Sequence, residues 1–306
     1  MRAAGPLGSV IESDGSAIIP GTAYRLPGYQ FRAGANALIM LNRIAFFDYR
    51  TQKLDDDGQR TLLRWAARQD LGQDAALVAA VADRRERALV QLRRQGHHVE
   101  RIRAEPEWRL AVGLGNKANA HEIGLSLNGT YGWPAIPGTS LKGLAASWAV
   151  DSRAAGADVR RVLGSPRLDL PAPQASATGP ASEEENVGVP GAARGTVCFL
   201  DAIPAGVPVT VTLDVLTPHV KPYYDTAASE SGKPPVPPAE YHNPVPVNFL
   251  TVSGAFAVDL HGRDRADVEL AAGWLRRAGE EFGAGGKTAA GYGYLAMTAA
   301  PLKDPA

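Results

Sequence analysis

Five glycines fall within the eleven residues GAGGKTAAGYG, 283–293, with Lys287 and Thr288 among them. Glycine lets the backbone approach a ligand closely and leaves amide N–H groups free to hold an anion. A nucleotide phosphate loop needs G-x-x-x-x-G-K-[ST], and counting back from Lys287 puts Glu281 where the first glycine is required. The segment also follows a helical pattern and enters a strand, the reverse of a phosphate loop. That sets ATP and GTP binding aside. Two readings remain. One is a tight helix-to-strand connection that needs positive φ angles. The preferred one is contact with a nucleic-acid backbone, Lys287 as cation and the loop amides as donors.

A second segment, IPGTSLKG at 136–143, reads as a turn opening a helix, with Thr139 or Ser140 as its cap. A helix start carries unpaired N–H groups and positive dipole, so it can receive an anion. Lys142 adds charge there at a small cost to the helix, although a solvated surface lysine explains it equally well. The histidines, His97, His98, His121, His219, His242 and His261, show no paired zinc spacing and no HExxH. His121, beside Glu122, is a candidate general acid or base that lacks a visible nucleophile or partner base. Asp201, Asp214 and Asp225 are dispersed near strand ends and form no metal cluster, and no G-x-S-x-G is present. No cofactor or metal is expected.

These segments need elements to hold them. Residues 37–50 and 61–67 read as helical. Residues 71–95 form an amphipathic helix, with Leu71, Val78, Val81, Leu89 and Leu92 on one face and Arg84, Arg85, Arg87, Arg93 and Arg94 on the other. That arginine strip is either a solvated face or one turned to phosphate or a partner. Strands are expected at 108–114, 123–128, 196–201, 209–216, 248–252 and 254–260. Helices are expected after Ser140 and over 268–278, and a last strand after the glycine loop. Residues 165–195 and 217–247 are rich in Pro, Gly and Ser and read as insertions. The order predicts an α+β fold, with an antiparallel sheet and helices on one face, in a ferredoxin-like βαββαβ arrangement. Residues 1–100 read as an arm and helical extension packed on a 101–306 domain.

The 306 residues carry 32 basic and 32 acidic side chains, so overwhelming positive charge does not mark this chain as a nucleic-acid binder. The balance is local, however: residues 1–110 hold 17 basic and 13 acidic side chains, and residues 171–306 hold 9 and 15. A basic strip can therefore coexist with a neutral total. Cys198 is the single cysteine, in the apolar run VCFL, and is expected to be buried in a reducing compartment. The start has no apolar leader pattern and no run reaches membrane-spanning length, so a cytoplasmic, membrane-free protein is expected.

Four phrases occur in order: HEIGLSLNGTYGWPAIPGTSLKGLAASWA, GTVCFLDAIP, TPHVKPYYD…PVPVNFL and GAGGKTAAGYGYL. Together they resemble the RAMP superfamily of CRISPR-associated proteins, and more narrowly the sixth-subunit family of type III-B Cmr RNA-silencing complexes. The resemblance covers about Trp108 to Leu295. It implies a modified RRM-like, ferredoxin-like fold with insertions. The implied role is non-catalytic: a subunit that helps cap the 3′-end side of the guide RNA (crRNA) in an antiviral effector complex. The implied partners are crRNA, target RNA, and neighbouring RAMP and small subunits. The implied RNA-contacting positions are Ser140 and Lys142 at the helix start, and Gly283, Gly285, Lys287, Thr288 and Gly291 in the loop. Asn116 and Lys117 fall in the matching loop between the first strands. Gly115-Asn116-Lys117-Ala118 departs there from the Gly-Asn-Gly-His that members commonly carry. Ala145, Ala146 and Ser147 stand where members often place an arginine. No aromatic RNA-stacking strand motif is visible, so backbone contact through loops, helix starts and cations is the expected route. The alternatives are a metal-independent crRNA-processing endoribonuclease using His121, and a protein-binding adaptor docking through Pro234–Pro246.

Overall fold

The computed structural model describes residues 11–12, 30–31, 36–43, 56–68, 70–115, 123–165, 193–217, 219–220, 222–223, 236–241, 243–244 and 246–302. Near the start, two short strands, β1 (Ile11–Glu12) and β2 (Gln30–Phe31), pair with each other. Helices α1 (Ala37–Arg43), α2 (Asp56–Arg68) and α3 (Ala75–Arg94) follow. The third starts later than its periodicity predicts. Asp74 caps it, accepting from Leu77 N at 2.8 Å, and Leu71 sits just before it in a left-handed turn with φ 56°.

The first strand of the main sheet is β3 (His98–Pro106), not the expected 108–114. Its charged residues hide it in the sequence. Ile102 and Ala104 are fully buried, whereas Arg101, Arg103 and Glu105 alternate with them on the other face. Residues 108–114 make only an isolated bridge, Leu110 to Val252, and residues 123–128 only one from Leu127 to Pro134. Both segments spend their backbone groups elsewhere. Ser126 N donates to Val112 O, and the carbonyls of Arg109 and Ala111 receive donors from the glycine loop.

The remaining elements are α4 (Gly138–Asp151), α5 (Gly156–Leu163), β4 (Val197–Phe199), β5 (Ile203–Pro204), β6 (Thr210–Leu216), β7 (Val247–Ser253), β8 (Phe256–Gly262), α6 (Arg265–Glu281) and β9 (Leu295–Ala299). The sheet runs β4-β8-β3-β9, all antiparallel, with β5 also on β8. With α4 after β3 and α6 after β8, this is the ferredoxin-like βαββαβ order. The expected fold class holds.

Register decides which side chains meet. Ile102 faces Val258, and Ala104 faces both Phe256 and Met297. This face is covered by α4 and α6, which contribute Leu141, Ala145, Ala149, Val268, Ala271 and Leu275 to one core. Each large apolar side chain buried there stabilises the fold by about 1.5–3 kcal/mol. β6 and β7 form a separate two-stranded sheet packed on α2. The edge of β6 is closed by side chains: Gln73 bonds both Val209 N and Val209 O, and Asp70 accepts from Val211 N at 2.9 Å. Unpaired strand backbone is thereby satisfied without a further strand. Val215 is half exposed at the far end of β6.

Candidate nucleic-acid interface

Phe282 caps the end of α6, and the loop begins with Gly283 in a left-handed conformation. Gly285, Gly291 and Gly293 also have positive φ, as does Lys287 at 62°. A side chain at Gly293 would place its Cβ 2.1 Å from the carbonyl oxygen of Ala284, so only glycine fits. Much of the loop's donor capacity builds the loop itself. Ala284 N donates to Gly293 O, Gly291 N to Thr288 O and Tyr292 N to Lys287 O. Two further bonds tie it to the segment after β3: Gly293 N donates to Arg109 O at 2.8 Å and Gly286 N to Ala111 O at 2.7 Å. The result is an arch, with Lys287 and the 3-10 turn Thr288–Ala290 at its crest. The two sequence readings of this loop are therefore not exclusive. It is a tight helix-to-strand connection that also presents a lysine.

An aromatic cluster supports the arch. Lys287 Nζ lies 5.1 Å from the centre of the Phe249 ring. Phe249 packs edge-on against Tyr292 at 5.6 Å, and Tyr292 packs against Trp108 at 4.7 Å. The Arg109 guanidinium lies 5.1 Å over the Trp108 ring and bonds Asp214 Oδ2 at 2.7 Å. Burial pushes the Tyr292 hydroxyl above its usual pKa, and a hydrogen bond to Asp214 pushes the same way. The sequence reading missed Trp108, Arg109, Phe249 and Tyr292 as site residues. The adjacent Trp108-Arg109 pair and the tyrosine inside the glycine run were the available signals.

The start of α4 departs from expectation. Pro137 occupies the cap position, and neither Thr139 nor Ser140 caps the helix through its side chain. Instead Asp201, in the turn before β5, accepts from Gly138 N at 2.8 Å. That carboxylate takes one of the amides an anion would use and adds negative charge beside it. Ser140 is exposed and Lys142 half-buried. Ser140 lines a cavity of about 270 Å³ with Val112, Gly113 and Ser126. The helix start and the glycine arch thus flank the same extended segment, 109–113. Asn116, Lys117, His121 and Glu122 lie outside the described residues, as does most of the 165–195 insertion.

The arginine strip of α3 is not uniform. α3 lies on the sheet face opposite α4 and α6, and Arg84 and Arg85 are among its arginines engaged with the rest of the fold. Arg84 donates to the Tyr131 hydroxyl at 2.7 Å and Arg85 to Asp201 O at 2.7 Å. Arg87, Arg93 and Arg94 are exposed. Elsewhere, His97 and His261 face each other, Nδ1 to Nδ1 at 3.2 Å. Cys198 is free and only partly buried. Among the described residues no cluster of His, Cys, Asp or Glu could hold a metal ion, and no helix is long and apolar enough to cross a membrane.

Residues 109–296 match the family profile of the RAMP superfamily, and the chain belongs to that superfamily. Within it, the chain is 29% identical over 226 residues to the CRISPR system Cmr subunit Cmr6 of Pyrococcus furiosus. That alignment covers 61% of this chain and 64% of the relative, so the chain spans a little under two thirds of its length. A chain of the type III-B Cmr-beta complex bound to cognate target RNA superposes with a TM-score of 0.53 at 18% identity, covering 78% of this chain and 71% of that one. It shares the fold. The crystal structure of Cmr6 from Pyrococcus furiosus matches at 25% identity and a TM-score of 0.35, covering 66% of this chain and 99% of that one.

Proposed function

We propose that this chain is a non-catalytic subunit of a type III-B CRISPR effector complex that holds the guide-RNA backbone on its 3′-end side and supports target-RNA silencing. The observation that carries the reading is the glycine arch, a fixed backbone shape with Lys287 at its crest. Similarity to Cmr6 supports membership of such a complex, with RAMP and small subunits, guide and target RNA as neighbours. Contact through amides and lysines reads charge and shape rather than sequence. A subunit that must accept any guide needs that indifference. Gly283, Gly285, Lys287, Thr288 and Gly291 supply the loop contacts, Ser140 and Lys142 the helix-start contacts, and Asn116 and Lys117 the adjoining loop. Residues 1–100 act as an extension packed on the 101–306 domain, a reading supported by α3 lying on the sheet.

The test is binding of a guide-length single-stranded RNA across a salt series. Lys142→Ala and Lys287→Ala are each expected to weaken binding and to flatten the dependence of log K on log salt by about 0.7 for each phosphate no longer neutralised. Unchanged affinity, slope and complex assembly in the double variant would sink the proposal. Metal-independent cleavage of the RNA by the purified chain would favour the endoribonuclease reading instead.

A further inference from the structure

Trp108 is 51% exposed, although an indole is among the most rewarding side chains to bury. It lies in the bend directly after β3, next to the residue whose carbonyl ties down the arch at Gly293. Its surroundings are not those of a core side chain that stops short of burial. One neighbour is the guanidinium of Arg109, fixed by Asp214. Another is Tyr292, which is buried and backs onto Phe249, the ring beneath Lys287. A half-exposed indole thus lies two rings, Tyr292 and Phe249, away from the cation at the crest of the arch.

Proteins that hold single-stranded nucleic acid combine cations along the backbone with aromatic rings on which bases stack. The sheet face that usually provides such rings in an RRM-like fold is partly covered here by α3, and its exposed residues Arg103, Glu105, Ala296 and Thr298 carry no ring. We infer that the exposed part of the Trp108 indole, held in place by its contacts with Arg109 and Tyr292, is a stacking platform for one unpaired base of the RNA whose backbone the glycine arch holds. This rests on the RNA-binding reading above and adds a base contact to it. The contact is tolerant of sequence, because every base has a π-face.

The test uses the full chain and two single-stranded oligoribonucleotides of equal length, one unmodified and one carrying abasic sites along its length. Wild type is expected to bind the unmodified strand about tenfold more tightly than the abasic one, within the range for one stacked base. Trp108→Ala is expected to abolish that difference, with the same affinity for the abasic strand and an unchanged salt slope, since no cation is removed. Trp108→Phe is expected to recover most of it. Equal preference in wild type and Trp108→Ala overturns the inference while leaving the backbone-binding reading intact. Absence of RNA binding by wild type overturns both. If Trp108→Ala keeps its RNA affinity but no longer joins neighbouring subunits, the residue is a protein contact and the inference fails.

Discussion

The carboxylate of Asp259 has no exposed surface and sits between two guanidiniums. Arg101 donates to it from Nε at 2.7 Å. Arg85 Nε, on α3, lies 2.7 Å from its other oxygen, close enough for an ion pair although its N–H is not directed along that line. Burial is the largest influence on Arg85, lowering its pKa below the usual guanidinium value against the raising effect of Asp259. One buried negative charge therefore holds two cations and joins α3 to the sheet. Removing one partner of a buried pair leaves the rest uncompensated, which typically costs about 3–5 kcal/mol. Asp259→Ala is expected to lose stability on that scale in urea unfolding, and Asp259→Asn less. An unaltered midpoint in Asp259→Ala would show that water already solvates the cluster.

At the scale of elements, the glycine loop makes a contrast that can be measured. Gly291 and Gly293 both have left-handed backbone, but only Gly293 lacks room for a side chain. Gly291→Ala is expected to cost about 1 kcal/mol, the strain of positive φ alone. Gly293→Ala is expected to cost more, because its Cβ drives against the Ala284 carbonyl and breaks the bond to Arg109 O. Thermal melting of the two variants checks the order, and equal costs would mean that the loop relaxes freely. These elements were unevenly legible in the sequence. α3, α6 and β6 follow from periodicity, because each meets the core along one apolar face, whereas β7 and β8 follow from short runs buried on both sides. β3 was hidden because charges dominate it: Arg101, Arg103 and Glu105 on its outer face, and Glu100 on the inner face, where it pairs with Arg276 of α6 at 3.0 Å. The cap of α4 was hidden too, since Asp201 reaches it from a distant turn. The loop glycines and Lys287 stood out by composition, whereas the aromatics beneath them come from three separate segments that only folding brings together.

At the scale of the molecule, one face of the main sheet is closed by α4 and α6, and α3 covers part of the other, leaving Arg103, Glu105, Ala296 and Thr298 exposed. The His97–His261 contact sits where the end of α3 meets β8. Burial, His97 and Arg194 all lower the His261 pKa below the ordinary imidazole value, in that order. The native state thus favours the neutral ring, and below a pH of about 6.5 the unfolded chain takes up the proton first. The stability due to the neutral ring is complete above that pH and declines as the pH falls through it. His261→Gln is expected to flatten this part of the stability profile between neutral and mildly acidic pH. A wild-type profile that rises on acidification over that range would refute it. The two backbone bonds that anchor the arch, to Arg109 and Ala111, carry a consequence for recognition. They settle the shape of the loop when the sheet forms, so the RNA strand proposed above would meet a surface already in its final geometry. The entropic cost of ordering the receptor falls on folding, and association keeps more of its contact energy as affinity.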